Sequence, residues 1–131
     1  MEEQTIYYKQ KLQFETDCRD LAEALKINQN IVVVDARSAD SFNQEHIPGA
    51  ISFPHRNICP ETTENLDQSK LYVIYCDGIG CNASTKAAYN LSRLGFRVKE
   101  LMGGLEWWKQ HGYETNVFKA ADKKEVTSCN Y

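Results

Sequence analysis

The segment Tyr75-Cys76-Asp77-Gly78-Ile79-Gly80-Cys81-Asn82 concentrates the residue types best suited to chemistry in this chain. A cysteine that ends an apolar run and opens a glycine-bearing loop faces backbone N–H groups that curl into a nest, and a following helix points its N-terminus at the same place. Those dipoles favour a thiolate: a thiol so placed has its pKa lowered from about 8.5 into roughly the 3.5–7.5 range. Cys76 is therefore the candidate nucleophile, with no need of a dedicated base. Asp77, Gly78, Ile79, Gly80, Cys81 and Asn82 form the candidate anion cradle, in which the two glycines let backbone approach an anion and permit positive φ. The competing reading is a buried structural cysteine at a strand end, and the loop context favours the nucleophile.

Cys81 lies five residues after Cys76 and has two readings. In a curled loop it is a resolving thiol; alternatively it packs under the helix as a small apolar residue. A metal site is disfavoured, because two cysteines at this spacing without a matching Cys/His pair fall short of the usual ligand sets, and no cofactor is implied. Phosphoryl transfer is disfavoured too. It wants a bidentate guanidinium on the equatorial oxygens, and no basic residue follows Cys76 before Lys86.

The elements that must position this loop are legible in outline. Leu71-Tyr72-Val73-Ile74-Tyr75 and Ile31-Val32-Val33-Val34 are continuous apolar runs, the mark of strands buried on both faces of a parallel sheet. The second run ends in Asp35, so Asp35 and Cys76 both sit at carboxyl ends of strands, where open α/β sheets bind ligands. Helical spacing predicts helices over about 17–27, capped by Thr16-Asp17, and from about Ala83 to the C′ glycine Gly95. A polar helical segment spans Ala39 to Glu45, and Pro48-Gly49 turns into a short strand from Ala50 to Phe53. Residues 54–70 read as a surface connection with a short helix at most, Phe96 to Leu101 alternates as a strand, and Gly103-Gly104 opens a last amphipathic helix through Trp107-Trp108. Strands alternating with helices imply right-handed crossovers, a mainly parallel sheet and helices on both faces: an α/β protein.

The 131 residues suffice for one domain, and an apolar fraction of 42% with 25% charged residues excludes disorder, collagen and coiled coil. A net charge of -3 with no basic block argues against nucleic acid. Five cysteines, at 18, 59, 76, 81 and 129, cannot all pair within one chain, so at least one is a free thiol. The first residues carry no basic region followed by an apolar run, and the longest apolar stretch is far too short to span a membrane; the expectation is a soluble cytoplasmic protein without membrane partners.

Four segments resemble the rhodanese-like (sulfurtransferase) family, over about residues 14–113. Val33-Val34-Asp35-Ala36-Arg37 resembles its Asp-x-Arg motif, and Phe42 through Glu45-His46-Ile47-Pro48-Gly49-Ala50 is similar to its aromatic-x-x-Gly-His-Ile-Pro-Gly-Ala signature, with Glu45 in place of Gly. Tyr75-Cys76 heads a segment like the active-site loop, and Leu101-Met102-Gly103-Gly104-Leu105-Glu106-Trp107-Trp108 resembles the closing Gly-Gly-x-x-x-Trp motif. The resemblance implies the three-layer rhodanese-like fold over residues 14–118, with 1–13 an N-terminal extension and 119–131 a polar, frayed tail. It also implies that Cys76 accepts a sulfane sulfur, becomes a persulfide cradled by backbone amides, and passes the sulfur to a thiol or cyanide-like acceptor. Asp35, Arg37 and His46 are supporting residues under it: Asp35 and Arg37 either line the site or form an internal ion pair that holds the loops, and His46 is either structural in its turn or an acid or base. Trp107 and Trp108, being adjacent, place one ring inward and one outward.

Many members of the family carry Arg or Lys where this chain has Cys81, and Asp77 adds a negative charge to the loop. A dianion such as thiosulfate is therefore a poorer donor here than a small persulfide or a persulfide-bearing protein. Two functions compete: a sulfurtransferase enzyme, and a persulfide carrier or protein-binding module of the same fold with little turnover of its own.

Overall fold

The computed structural model describes residues 2–28 and 30–118. The sheet is built on the two apolar runs. β2 (Ile31–Asp35) and β5 (Leu71–Tyr75) pair in parallel, with Val33 opposite Val73 and Asp35 opposite Tyr75. β6 (Arg97–Leu101) lies on the other side of β5, β1 (Glu15–Thr16) extends that edge, and β4 (Ile51–Ser52) extends the edge beyond β2, giving the order β1-β6-β5-β2-β4 with every pair parallel.

Each central strand feeds two cores by its period of two. Val33, Val73 and Tyr75 face one side, where Leu21 of α2 (Cys18–Ile27) and Leu105 and Trp108 of α6 (Gly104–Gln110) cover them. Val34, Tyr72 and Ile74 face the other, under Ala87 and Leu91 of α5 (Ala83–Arg93). Helices on both faces make this the mixed α/β, mainly parallel architecture that the alternating pattern implies. α2 is capped by the Asp17 carboxylate on the amide of Asp20 at 2.8 Å. α5 ends where Gly95, at φ +93°, turns the chain back, with Gly95 N–H on the Ser92 carbonyl and Phe96 N–H on Leu91, so that Phe96 rejoins the core beside Leu91.

α3 (Ala39–Gln44) and the short strand at 51–52 fall where the pattern places them, within a residue or two. The connection over 54–70 holds a 3-10 turn at His55–Asn57 and one helical turn, α4 (Pro60–Thr63). Three features differ from the sequence reading. α1 (Glu2–Phe14) is a regular helix in a stretch that shows no helical pattern, because Ile6, Tyr7, Tyr8, Leu12 and Phe14 spread around its circumference and none is buried. β1 enters the main sheet at its edge. β3 (Glu45–His46) and β7 (Asn116–Val117) form a separate antiparallel pair, too short to show a period. The polar tail after Phe118, with Cys129, lies outside the described residues. Among the described residues no helix is long and apolar enough to cross a membrane.

Candidate active site

Cys76 follows the last residue of β5, in the middle of the sheet, and its thiol is almost fully buried. Its position is fixed by the start of α6. The amide of Leu105 donates to the Cys76 carbonyl at 2.9 Å and that of Glu106 to the Asp77 carbonyl at 2.8 Å. Such close passage requires the glycine pair: a Cβ on Gly104 would run into the Cys76 carbonyl, and one on Gly103, at φ +83°, into Trp107. Gly78 packs on the same helix: a Cβ there would lie 2.7 Å from Glu106 Oε2, a contact that the glutamate side chain can relieve by moving.

From this base the loop curls over the sulfur. Cys76 Sγ donates to the carbonyl of Cys81 at 3.2 Å, and Ser84 Oγ lies 3.4 Å away on the first turn of α5. The Cys81 amide closes the turn on the Gly78 carbonyl at 3.3 Å, and Gly80 takes φ +96°. Ile79 is exposed at the tip, and Asn82 is the N-cap residue of α5 without a side-chain cap bond. The open cleft beside the loop, about 330 Å³, is lined by Cys76, Gly78, Ile79, Gly80, Cys81 and Ser84 from this segment, and by Glu15, Glu100, Leu101, Met102 and Gly103 from the neighbouring strands β1 and β6 and the turn after them. Of three larger cavities, those of about 450 and 800 Å³ contain no cysteine, and one of about 420 Å³ is bordered by Cys18.

The electrostatics correct the expectation of a depressed Cys76 pKa. Burial pushes the Cys76 thiol up, and although the hydroxyl and amide of Ser84 pull it down, the neighbouring Cys81 adds to the rise. Cys81 moves the other way. Burial opposes its ionisation, but the amides of Ala83 and Asp77 and the Cys76 thiol together hold it below the ordinary thiol range. The nest at the start of α5 is real, and it favours the thiolate of the second cysteine, because Cys81 is nearer the solvent-facing rim while Cys76 lies beneath it.

Asp77 is also placed differently from expectation. Its carboxylate turns outward to Arg37 Nη1 at 3.1 Å, so its charge is matched by a guanidinium. The carboxylates that border the cavity are instead Glu15, ion-paired with Lys11 Nζ at 3.1 Å, and Glu100. Glu100 Oε2 accepts from Ser84 Oγ at 2.8 Å and from Thr85 Oγ1 at 2.7 Å, which links it through Ser84 to Cys76. Neither glutamate nor Ser84 stands out in the linear sequence. The signal that could have found Glu100 is register: β6 runs parallel beside β5, Glu100 opposite Ile74, so the carboxyl ends of both strands open on one cavity.

Asp35 and Arg37 do not line the cavity. Asp35 is fully buried and receives Arg37 Nε at 3.0 Å, Nη2 at 2.7 Å, the Arg37 amide at 2.9 Å and the Tyr75 hydroxyl at 2.9 Å. Arg37 also donates to the carbonyls of Ser41 and Glu45, and Tyr75 OH accepts from the Ile47 amide at 3.1 Å. This is the internal anchor of the two alternatives. His46 is likewise built into its turn, with Nδ1 2.7 Å from the Phe42 carbonyl and its ring stacked on Phe42 at 3.8 Å. Of the aromatic pair, Trp108 is buried and Trp107 faces outward.

Comparison with known proteins agrees with this geometry. The rhodanese-like domain model matches residues 18–111. A thiosulfate sulfurtransferase GlpE of Coxiella burnetii is 36% identical over 85 residues, covering 63% of this chain and 76% of that protein. A sulfurtransferase of Allochromatium vinosum is 29% identical over 98 residues, covering 75% and 90%. Among solved structures, the BH2092 protein of Bacillus halodurans superposes with a TM-score of 0.84 at 37% identity over 95% of this chain and 98% of that one. A rhodanese-related protein of Thermoplasma volcanium gives 0.68 at 26% identity over 79% and 97%. With the family model spanning most of its length, the chain belongs to the rhodanese-like domain family.

Proposed function

We propose that this protein is a sulfurtransferase that carries sulfane sulfur as a persulfide on Cys76. The observation that carries the reading is the placement of Cys76 Sγ: at the end of the central strand, inside a loop held by the α6 amides, and within reach of the Ser84 amide and hydroxyl. In the first half-reaction the Cys76 thiolate attacks the outer sulfur of a donor R–S–SH. A Cys76 S–S bond forms, the donor's S–S bond breaks, and R–S⁻ leaves. In the second half-reaction a thiolate or cyanide-like acceptor attacks the outer sulfur and Cys76 leaves as thiolate. Gly78, Ile79, Gly80 and Cys81 form the wall around the transferred sulfur, with Asp77 and Asn82 flanking the loop outside the cavity lining; Asp35, Arg37 and His46 act only by holding the loops. The working unit is residues 14–118.

The donor class follows from charge. Glu15 and Glu100 border the cavity, and among its lining residues there is neither Lys nor Arg. A dianion such as thiosulfate enters against the Glu100 carboxylate, Glu15 being ion-paired with Lys11, whereas a low-molecular-weight persulfide or a persulfide-bearing protein does not require a cation. A second reading, a carrier that exchanges sulfur with a protein partner and has little turnover on small donors, is favoured by one feature. Ile79, Met102 and Trp107 are exposed around a shallow depression next to the mouth that Asp17, Arg19 and His111 also border, a mixed apolar and polar rim suited to a protein surface.

Intact-mass measurement after incubation with thiosulfate, glutathione persulfide or a persulfidated protein tests both. A gain of about one sulfur, about 32 Da, mapping to Cys76 supports the carrier chemistry, and the donor that produces it separates the readings. No gain from any donor rules the chemistry out.

A further inference from the structure

The cavity holds a second sulfur. Of the described cysteines, Cys18, the first residue of α2, is buried in the core and Cys59 stands at the start of α4; Cys81 alone shares the cavity of Cys76. It belongs to neither core cluster and is half-exposed, so it does not pack under the helix. Its backbone touches the nucleophile directly, since its carbonyl takes the Cys76 thiol hydrogen at 3.2 Å. The chain around it has room to move. The loop closes on one long backbone hydrogen bond, Cys81 N–H to Gly78 at 3.3 Å, and the outward side of Gly80 meets no atom within 4 Å.

We propose that Cys81 is a second reacting thiol, which resolves the Cys76 persulfide to sulfide and a Cys76–Cys81 disulfide, making this loop a dithiol persulfide reductase. The inference rests on the reading of Cys76 as the persulfide carrier. The Cys81 thiolate attacks the inner sulfur, Cys76 Sγ. The Cys76–Cys81 S–S bond forms, the bond to the outer sulfur breaks, and that sulfur leaves with the electron pair as HS⁻. The sulfane sulfur is thereby reduced and the two cysteines are oxidised together. A dithiol reductant of the thioredoxin class then returns both to thiols and is itself oxidised to its disulfide. The surroundings suit this division of labour: the amides of Ala83 and Asp77 ease the ionisation of Cys81, while burial opposes that of Cys76. With Cys81 in place of the cation many relatives use at this position, the loop gives up affinity for an anionic donor and gains a route that ends in sulfide.

The test uses the reduced full chain under anaerobic conditions with glutathione persulfide, followed by rapid desalting. Cys76 and Cys81 lie in one tryptic peptide, residues 71–86, so the two products differ in mass within a single species. The expected result is about one equivalent of sulfide and a peptide about 2 Da lighter than the reduced form. Cys81→Ser should stop at the peptide about 32 Da heavier, with sulfide release at least about tenfold lower. A wild-type peptide that keeps the added mass and releases no sulfide overturns the inference while leaving the carrier reading standing, and equal sulfide release from Cys81→Ser does the same. A peptide that neither gains sulfur nor loses hydrogen overturns the carrier reading and this inference with it.

Discussion

Residues 36–38 after β2 and residues 76–82 after β5 leave adjacent parallel strands at the same end of the sheet, and they are built in opposite ways. After β2, side chains consume one another: Asp35 accepts four hydrogen bonds from Arg37 and one from Tyr75, while Arg37 Nη2 also donates to two backbone carbonyls and Nη1 to Asp77. After β5, glycines withhold side chains, and the loop is held from behind by α6 amides while its inner face stays open to a cavity. The same topological position thus serves rigidity where polar groups are mutually satisfied and chemistry where a sulfur is left facing space. Arg37 bridges them through its contact with Asp77.

The contrast breaks most completely at the sulfur itself. Cys76→Ser is expected to abolish sulfur transfer and leave the urea unfolding midpoint within experimental error of wild type, because the substitution is nearly isosteric. Retained transfer would move the site elsewhere. At the other loop, Arg37→Ala strands a fully buried carboxylate, and losing one partner of such a pair costs about 3–5 kcal/mol. That is a large share of a domain's stability, read as a lower urea midpoint. A shift below about 1 kcal/mol would mean that the anchor contributes little, as exposed pairs do.

How much of this was legible in the sequence follows the same division. β2 and β5 were readable because every residue of a strand buried on both faces is apolar, and the end of α5 because Gly95 and Phe96 carry a local backbone signal. Cys76 was readable from its place at a strand end. Ser84 and Glu100 were not, since their approach to Cys76 depends on the register of β6 against β5 and the angle of α5, which no local pattern encodes. The opposite shifts of the two thiols are illegible for a related reason: sequence shows that amides gather at a helix start, but not that burial raises the Cys76 thiol while the amides of Ala83 and Asp77 lower that of Cys81.

That reversal predicts a measurable difference between the thiols. Alkylation followed across a pH series should give Cys81 a midpoint below that of an ordinary thiol and Cys76 a midpoint above it. A group whose pKa is raised ionises later as pH increases, and one whose pKa is lowered ionises earlier. Mass mapping of the 71–86 peptide after brief labelling identifies which sulfur reacts first; Cys76 leading at neutral pH would restore the original assignment. A smaller effect is expected from the cavity charge. Glu100→Gln keeps an oxygen to accept from Ser84 and Thr85 but removes one negative charge, and about 1 kcal/mol less repulsion should lower the thiosulfate KM roughly fivefold. The KM for a neutral persulfide should stay unchanged, so a parallel fall for both donors would point to altered packing instead of charge.

The smallest effect concerns the contact that joins the loops. Asp77 meets Arg37 at 3.1 Å, but its side chain is 71% exposed, whereas the Asp35 partner of the same guanidinium is fully buried. Screening by solvent limits a pair of that kind to about 0–1 kcal/mol. Arg37 also keeps its bidentate bond to Asp35 when Asp77 is gone. Asp77→Asn is therefore expected to lower stability by less than about 1 kcal/mol in urea unfolding, with a difference that shrinks further as salt is added. If it costs as much as Arg37→Ala, the two loops are one cooperative unit, and the rigid loop holds the reactive one through this bridge. If it costs almost nothing, the α6 amides on Cys76 and Asp77 suffice to hold the reactive loop, and the buried anchor serves the sheet alone.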